Sequence, residues 1–201
     1  VIDQLPMQKI ALASASPRRR ELLAQLGVDF ELVKADVDET QSPGELATDY
    51  VLRLAISKAT AGAQALLNGP LATEQSSAVM PVLGADTIVV VDGVVLGKPQ
   101  DQQDFLRMMR LLSGRQHQVY TAIALVSGDK VLSDTVKTDV WFSPLTEAQM
   151  QDYWLSGEPA DKAGGYGIQG LASRFIPKIS GSYFAVVGLP LYETDQLLQQ
   201  L

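Results

Sequence analysis

The sequence predicts an α/β or α+β chain with a mixed sheet bent into two lobes, and three observations carry that expectation. Apolar runs of strand length alternate with helical periods, but not in strict βαβ succession. Serine or threonine opens several of the helical periods, with a proline or a capping partner behind it. At 201 residues, 46% hydrophobic and 19% charged, the chain can close a full core.

In order, KIALAS at 9–14 reads as a buried strand, and Ser16-Pro17 supplies an N-cap followed by proline at the first helical position. Leu22, Leu23 and Leu26 give that helix its apolar face, and Gly27 ends it. A short strand near 30–33 leads into acidic Asp36, Asp38 and Glu39, of which Asp36 and Asp38 read as solvated loop residues. Ser42-Pro43-Gly44-Glu45 repeats the start signal with Glu45 as capping partner of Ser42, so a long helix should follow to about Leu67. Val51, Leu54, Ala55, Ala59 and Gly62 share one stripe of it; Lys58 falls in that stripe, and Arg53 points away.

Residues 68–81, rich in Gly, Ser and Pro, read as a connecting loop. VLGADTIVVV at 82–91 is a strand, and Asp92-Gly93 a hairpin turn into VVLGKP. Residues 101–112 fit a helix with Phe105, Met108, Met109 and Leu112 inward. Two longer strands are expected around 117–127 and 130–142, then a helix opened by Thr146 with Gln149 as capping partner. After DKAGGYGIQG the spacing predicts strands near 173–179 and 183–187 and a terminal helix from about Pro190.

Composition excludes several classes. A formal charge of −7 disfavours broad binding to nucleic acid or an anionic membrane surface. With no cysteine and one histidine, His117, thiolate and His-rich metal sites are ruled out; a metal would be a hard cation held by carboxylates and substrate oxygens. No apolar run reaches the ~20 residues of a membrane span and no signal-peptide pattern opens the chain, so it is expected to be cytoplasmic. His117 reads as a polar contact and Met108-Met109 as core.

Five places hold residues whose chemistry is out of keeping with their surroundings. In ALASASPRRRELL, Ser14, Ser16, Arg18, Arg19 and Arg20 crowd a helix N-terminus. They form either an anion site, built from orphan N–H groups and guanidinium forks, or a solvated first turn beside Glu21. Lys58 either snorkels from its apolar stripe or faces a cleft with a counter-ion. Asp86, inside the most hydrophobic strand, is either a satisfied structural carboxylate or one projected from a rigid strand as metal ligand or general base, with Glu39 available as a second acid. Lys98 in Gly97-Lys98-Pro99 is a weak candidate for phosphate contact. Gly164, Gly165, Gly167 and Gly170 permit either a close backbone approach to a ligand or a mobile loop, and they match neither the Walker pattern nor a strand-preceded G-x-G-x-x-G.

Taken together, SASPRR at 14–19, DE at 38–39, RLAISKA at 53–59, GADT at 84–87, GKP at 97–99, DKAGGYGIQG at 161–170 and GSYFAVVGLP at 181–190 resemble the Maf family of nucleoside triphosphate pyrophosphatases. The resemblance runs from about Lys9 to the C-terminus. It implies an α/β fold like that of the inosine triphosphatase group, with a mixed, bent central sheet and flanking helices forming two lobes around a deep cleft. Residues 1–8 would be a tail and 9–201 a single catalytic domain. It further implies a divalent cation, Mg²⁺ or Mn²⁺, and a homodimer. Asp86 would be the general base that activates water for attack on the α-phosphate, and Glu39, with Asp86, would hold the metal. Ser14, Arg19, Lys58 and Lys98 would contact the triphosphate. Arg18, Thr87 and Gln169 resemble the branch acting on dTTP and UTP; the branch acting on 7-methyl-GTP usually has Trp, Gln and Glu there. Alternatives are the same chemistry on 7-methyl-GTP or CTP, or a nucleotide-binding regulator of cell division.

Overall fold

The computed structural model describes residues 8–68 and 80–201; most of the connection expected at 68–81 lies outside them, as does most of the expected N-terminal tail. Among the described residues seven strands form one mixed sheet in the order β2-β1-β3-β5-β6-β7, with β4 paired to β3 off that path. These are β1 (Ile10–Ala13), β2 (Phe30–Leu32), β3 (Val82–Val91), β4 (Val94–Leu96), β5 (Gln116–Ser127), β6 (Lys130–Trp141) and β7 (Lys178–Ser180). The helices are α1 (Pro17–Gln25), α2 (Ala47–Leu67), α3 (Gln102–Leu112), α4 (Glu147–Leu155), α5 (Tyr183–Val187) and α6 (Leu191–Leu198). The fold is α/β.

The chain divides into two compact units. The first takes the described residues of Val1–Asp86 with Ala122–Thr135 and Gly188–Leu201; the second takes Thr87–Thr121 and Val136–Val187.

In the first unit β1 is wholly buried and pairs in parallel with both β2 and β3, Leu12 standing opposite Leu32 and Leu83. Parallel strands need crossovers, which α1 and α2 supply. Ser16 caps α1 with Pro17 in its first turn, and Gly27 closes the exit at φ 73°. The buried face of α2 is Val51, Leu54, Ala55, Ala59 and Gly62, the stripe its periodicity predicts. Gly62 admits close packing: a Cβ there would lie 2.9 Å from Ala13, Val33 and Val82 side chains. The start of α2 differs from expectation. Ser42 N–H does donate to Glu45 Oε2 at 3.0 Å, but Gly44 sits at φ 75°, a left-handed turn, and the helix opens only at Ala47. Ser42, Pro43 and Glu45 carry the residue types of a cap, but the left-handed Gly44 diverts the backbone into a turn.

In the second unit α3 buries Phe105, Met108, Met109 and Leu112 as its spacing requires, against an aromatic cluster of Phe142, Tyr153, Tyr166 and Phe175. Phe142 and Tyr166 meet edge to face at 4.8 Å, and Tyr153 and Phe175 at 5.6 Å. Asp92 (φ 51°) and Gly93 (φ 77°) make the hairpin between β3 and β4, both left-handed as a type I′ turn demands. Thr146 and Gln149 form a complete capping box on α4.

Two expected strands are revised. Residues 171–175 form a 3₁₀ turn, and only Lys178–Ser180 pair, antiparallel to β6. Residues 183–187 are helical, despite strand-favouring Tyr, Phe and Val: Ser182 Oγ accepts the Ala185 N–H at 3.2 Å, and a capped turn overrides propensity.

Candidate active site

Gly84 decides where the candidate catalytic groups meet. A Cβ there would overlap the Ala55 carbonyl and lie 2.5 Å from Ala59 N, so glycine lets α2 press directly on β3. That contact places Lys58, one residue before Ala59, beside Asp86, two residues after Gly84. Lys58 Nζ donates to Asp86 Oδ1 at 2.7 Å and lies 2.7 Å from Glu39 Oε1. The Lys58 and Asp86 side chains are 13% and 11% exposed, that of Glu39 54%. Lys58 therefore does not snorkel; it spans a strand carboxylate and a loop carboxylate.

Those two carboxylates converge on a single cationic position, now filled by the ammonium. Hard oxygen donors in such an arrangement suit Mg²⁺ or Mn²⁺, which take one or two protein carboxylates and complete their shells with water and substrate phosphate. Among the described residues no group of three or more His, Cys, Asp or Glu is placed to hold a metal, so the donor set fits a shared site rather than an all-protein cage.

Arg19 stands apart from its neighbours. Its Nε donates to Gly188 O at 2.8 Å and its Nη1 to Ser14 Oγ at 3.4 Å, while Ser16 Oγ accepts its backbone N–H. Burial pulls its pKa below the ordinary arginine value; the charge of Asp86, and less strongly that of Glu39, opposes the shift. Arginine keeps its charge through a shift of this kind, so the half-buried side chain places a cation within the field of Asp86 and Glu39. Arg18 is half-buried and Arg20 is exposed.

The Glu39 loop is fastened by residues that sequence reasoning missed. Arg53 donates to both Glu45 oxygens at 2.6 and 2.8 Å and to Thr40 O at 3.0 Å, and lies over the Tyr50 ring at 5.5 Å. The Tyr50 hydroxyl donates to Glu39 O at 2.7 Å. Arg53 and the Ser42 N–H pull the Glu45 pKa down to about 2. The available signal was Tyr50 and Arg53 three apart on α2, a cation and an aromatic on one face. Asp36 and Asp38 are exposed, as expected.

The remaining candidates belong to the second unit. Lys98 is exposed just beyond β4, where Gly97 O accepts from Gly164 N at 2.9 Å. Thr87 Oγ1 lies 2.9 Å from Thr121 Oγ1, and Thr121 donates its only hydroxyl proton to Ala185 O at 2.7 Å. Thr87 must then be the donor to Thr121, so toward other groups its hydroxyl acts as an acceptor. Gln169 is exposed and lines a pocket of about 450 Å³ with Ile168, Ser173, Ile176, Lys178 and Tyr183 among its walls. His117 is buried, with Nε2 2.7 Å from the Tyr166 hydroxyl, a polar contact as expected.

Residues 9–201 match the family described as Maf-like protein. The chain belongs to the Maf family. The Maf match covers every motif on which the site is built. Among relatives, proteins of Vibrio parahaemolyticus (55% identical, covering 95% of this chain and 96% of the relative), Photobacterium profundum (54%, 95% and 95%) and Pseudoalteromonas translucida (56%, 94% and 95%) are each called dTTP/UTP pyrophosphatase. A solved structure, the Ham1 protein of Staphylococcus aureus, overlaps at a TM-score of 0.43 with 17% identity, over 75% of this chain and 100% of that one. Of the Maf motifs, the first unit holds SASPRR, DE, RLAISKA and Asp86 of GADT, and the second holds Thr87, GKP and DKAGGYGIQG.

Proposed function

We propose that this Maf-family chain is a nucleoside triphosphate pyrophosphatase that hydrolyses dTTP and UTP to the monophosphate and pyrophosphate. The observation that carries the reading is the Lys58 ammonium held at 2.7 Å by both Asp86 and Glu39, in a chain more than half identical to proteins called by that activity.

Asp86 accepts a proton from water, and the water oxygen bonds to the α-phosphorus. The bond from that phosphorus to the α–β bridging oxygen breaks, and pyrophosphate leaves. Lys58 orients Asp86 through Oδ1 and offers its charge to the phosphates. Arg19 and Ser14, at the α1 N-terminus, supply a guanidinium fork and a hydroxyl to the phosphate chain, and Lys98 adds a further cation. Glu39 and Asp86 would hold a divalent cation, which when bound neutralises phosphate charge and supports the leaving group. For the base, Gln169 can both donate and accept, as a pyrimidine imide edge requires, and Thr87 offers an acceptor for an imide N–H. Arg18 completes the base-selecting set. The same reading takes the chain as a cytoplasmic homodimer; no helix among the described residues is long and apolar enough to cross a membrane.

The test is pyrophosphate release from dTTP, UTP, CTP and 7-methyl-GTP with Mg²⁺ or Mn²⁺. dTTP and UTP should lead, and Asp86→Asn should lose at least roughly 100-fold in kcat. Full turnover by Asp86→Asn would remove the assigned base, and a preference for 7-methyl-GTP or CTP would remove the assigned nucleobase.

A further inference from the structure

The glycine-rich segment at 161–170 carries Gln169, and the structure anchors it through two residues that the chemistry above does not use. Glu158, in the 3₁₀ turn Glu158–Asp161, directs both carboxylate oxygens to this region. Its Oε1 accepts from the Tyr153 hydroxyl at 2.6 Å, and its Oε2 accepts from the Leu171 backbone N–H at 2.9 Å. The Tyr153 oxygen in turn accepts the Gly167 N–H at 3.2 Å. Positions 167 and 171, two residues to either side of Gln169, thus hang from one phenol–carboxylate pair.

The glycines fit this arrangement by their size. Gly164 and Gly165 need left-handed φ, but Gly167 and Gly170 do not. A Cβ on Gly170 would overlap the Glu158 carboxylate, and one on Gly167 would lie 2.8 Å from Lys162 Cε. Lys162 is itself held, donating to Glu158 O at 2.6 Å and to Asp161 Oδ1 at 2.8 Å. Tyr153 is buried and packed edge to face on Phe105 and Phe175 at 5.9 and 5.6 Å. Burial, and then the hydrogen bond to Glu158, raise its pKa far above the ordinary phenol value, so it remains a donor.

We propose that Tyr153 and Glu158 are a positioning pair for base selection, fixing the backbone on both sides of Gln169 so that its amide meets the base in one orientation. The proposal rests on the reading of Gln169 as a base-selecting residue. An amide reads an edge only when its donor and acceptor are held in place, and a displacement of about 1 Å is enough to lose a large part of such discrimination. Glutamine at 158 can accept at one oxygen only, and phenylalanine at 153 removes the bridge to both Glu158 and Gly167.

The experiment compares Tyr153→Phe, Glu158→Gln and Gly170→Ala with the unaltered protein, measuring kcat and KM for dTTP, UTP, CTP and 7-methyl-GTP alongside thermal melting. Each variant should lower the ratio of kcat/KM for dTTP over CTP and over 7-methyl-GTP on the order of tenfold, with most of the change in KM for dTTP. A merely structural role would scale all four substrates alike. Gln169→Glu is the control for the underlying reading. If its preference is unchanged, the base assignment of Gln169 fails and the proposal fails with it. If Gln169→Glu shifts preference while the folded variants at 153, 158 and 170 keep the original ratios, the positioning pair is overturned and the base assignment stands. Gly170→Ala reaches the pair from the opposite side, so an unfolded Glu158→Gln does not remove the test.

Discussion

Lys58 satisfies two carboxylates at once, at 2.7 Å each, and replacing it by methionine would leave Asp86 buried without its ammonium. Removing one member of a buried pair costs more than the pair contributes, because the remaining charge stays desolvated. Lys58→Met should therefore lose about 1–3 kcal/mol of stability, discounted at the Glu39 end by exposure, and at least roughly 100-fold in kcat. If Glu39 and Asp86 hold a divalent cation as proposed, that cation would take the place of the ammonium between them. The rise in Tm on adding Mn²⁺ should thus be larger in Lys58→Met than in the unaltered protein; an equal or smaller rise would mean that Glu39 and Asp86 do not form the cation position. At this scale much of the site was legible. Asp86 and Lys58 each break a local rule, as a carboxylate in an apolar strand and an ammonium on an apolar stripe, whereas Glu39 is legible only as an acid available in the stretch before α2. Local chemistry marks Arg19 only as one of three arginines, and its distinction from Arg20 comes from the family resemblance alone, because the Gly188 carbonyl that holds it is 169 positions away in sequence.

At the scale of elements, α2 and β3 form the frame of the site, and their contact depends on two glycines of different kinds. A Cβ at Gly84 would meet α2 backbone at Ala55 and Ala59, which can yield only if the helix moves; one at Gly62 would meet side chains of Ala13, Val33 and Val82. Both alanine variants should lose about 1–3 kcal/mol by overpacking. Only Gly84→Ala should shift Lys58 relative to Asp86, so its kcat should fall well below that of Gly62→Ala when the two are compared at temperatures of equal folded fraction. Matching kcat values would show that α2 does not set the Lys58 position. The elements also mark where sequence reading stops. Periodicity located α2, α3 and β3 because long apolar stripes bury one face regardless of context. It misread 183–187, where a single Ser182 cap decides between helix and strand, and it opened α2 early, where Gly44 turns the chain and Arg53 takes up Glu45. Arg53, Tyr50, Tyr153 and Glu158 look like ordinary surface or core residues in sequence. Their roles are contacts with backbone at Thr40, Glu39, Gly167 and Leu171, and such contacts leave no trace in composition.

Across the whole molecule, one histidine stands against 23 carboxylates, and this isolates a single titration. His117 is buried, its Nδ1 has no hydrogen-bond partner among the described residues and its Nε2 meets Tyr166. Burial lowers its pKa from 6.5 to about 4. Well above pH 6.5 the ring is neutral whether the chain is folded or not, and it contributes no pH dependence. As pH falls from 6.5 toward 4, the unfolded chain binds a proton that the folded protein refuses, so stability falls over that window by about 3 kcal/mol. The depressed carboxylates Asp38, Glu45, Asp104 and Glu147 act in a lower range, their contributions being lost as they protonate at more acidic pH. Urea unfolding at pH 7.5 and pH 5 therefore reads His117 in large part by itself. His117→Phe keeps an aromatic ring against Phe142 and Tyr166, which now pack on it edge to face at 5.2 and 5.4 Å, but strands the Tyr166 hydroxyl. It should be less stable than the unaltered protein at pH 7.5 by about 1–3 kcal/mol, yet lose much less on going to pH 5. An equal loss in both proteins would place the acid sensitivity in the carboxylates instead.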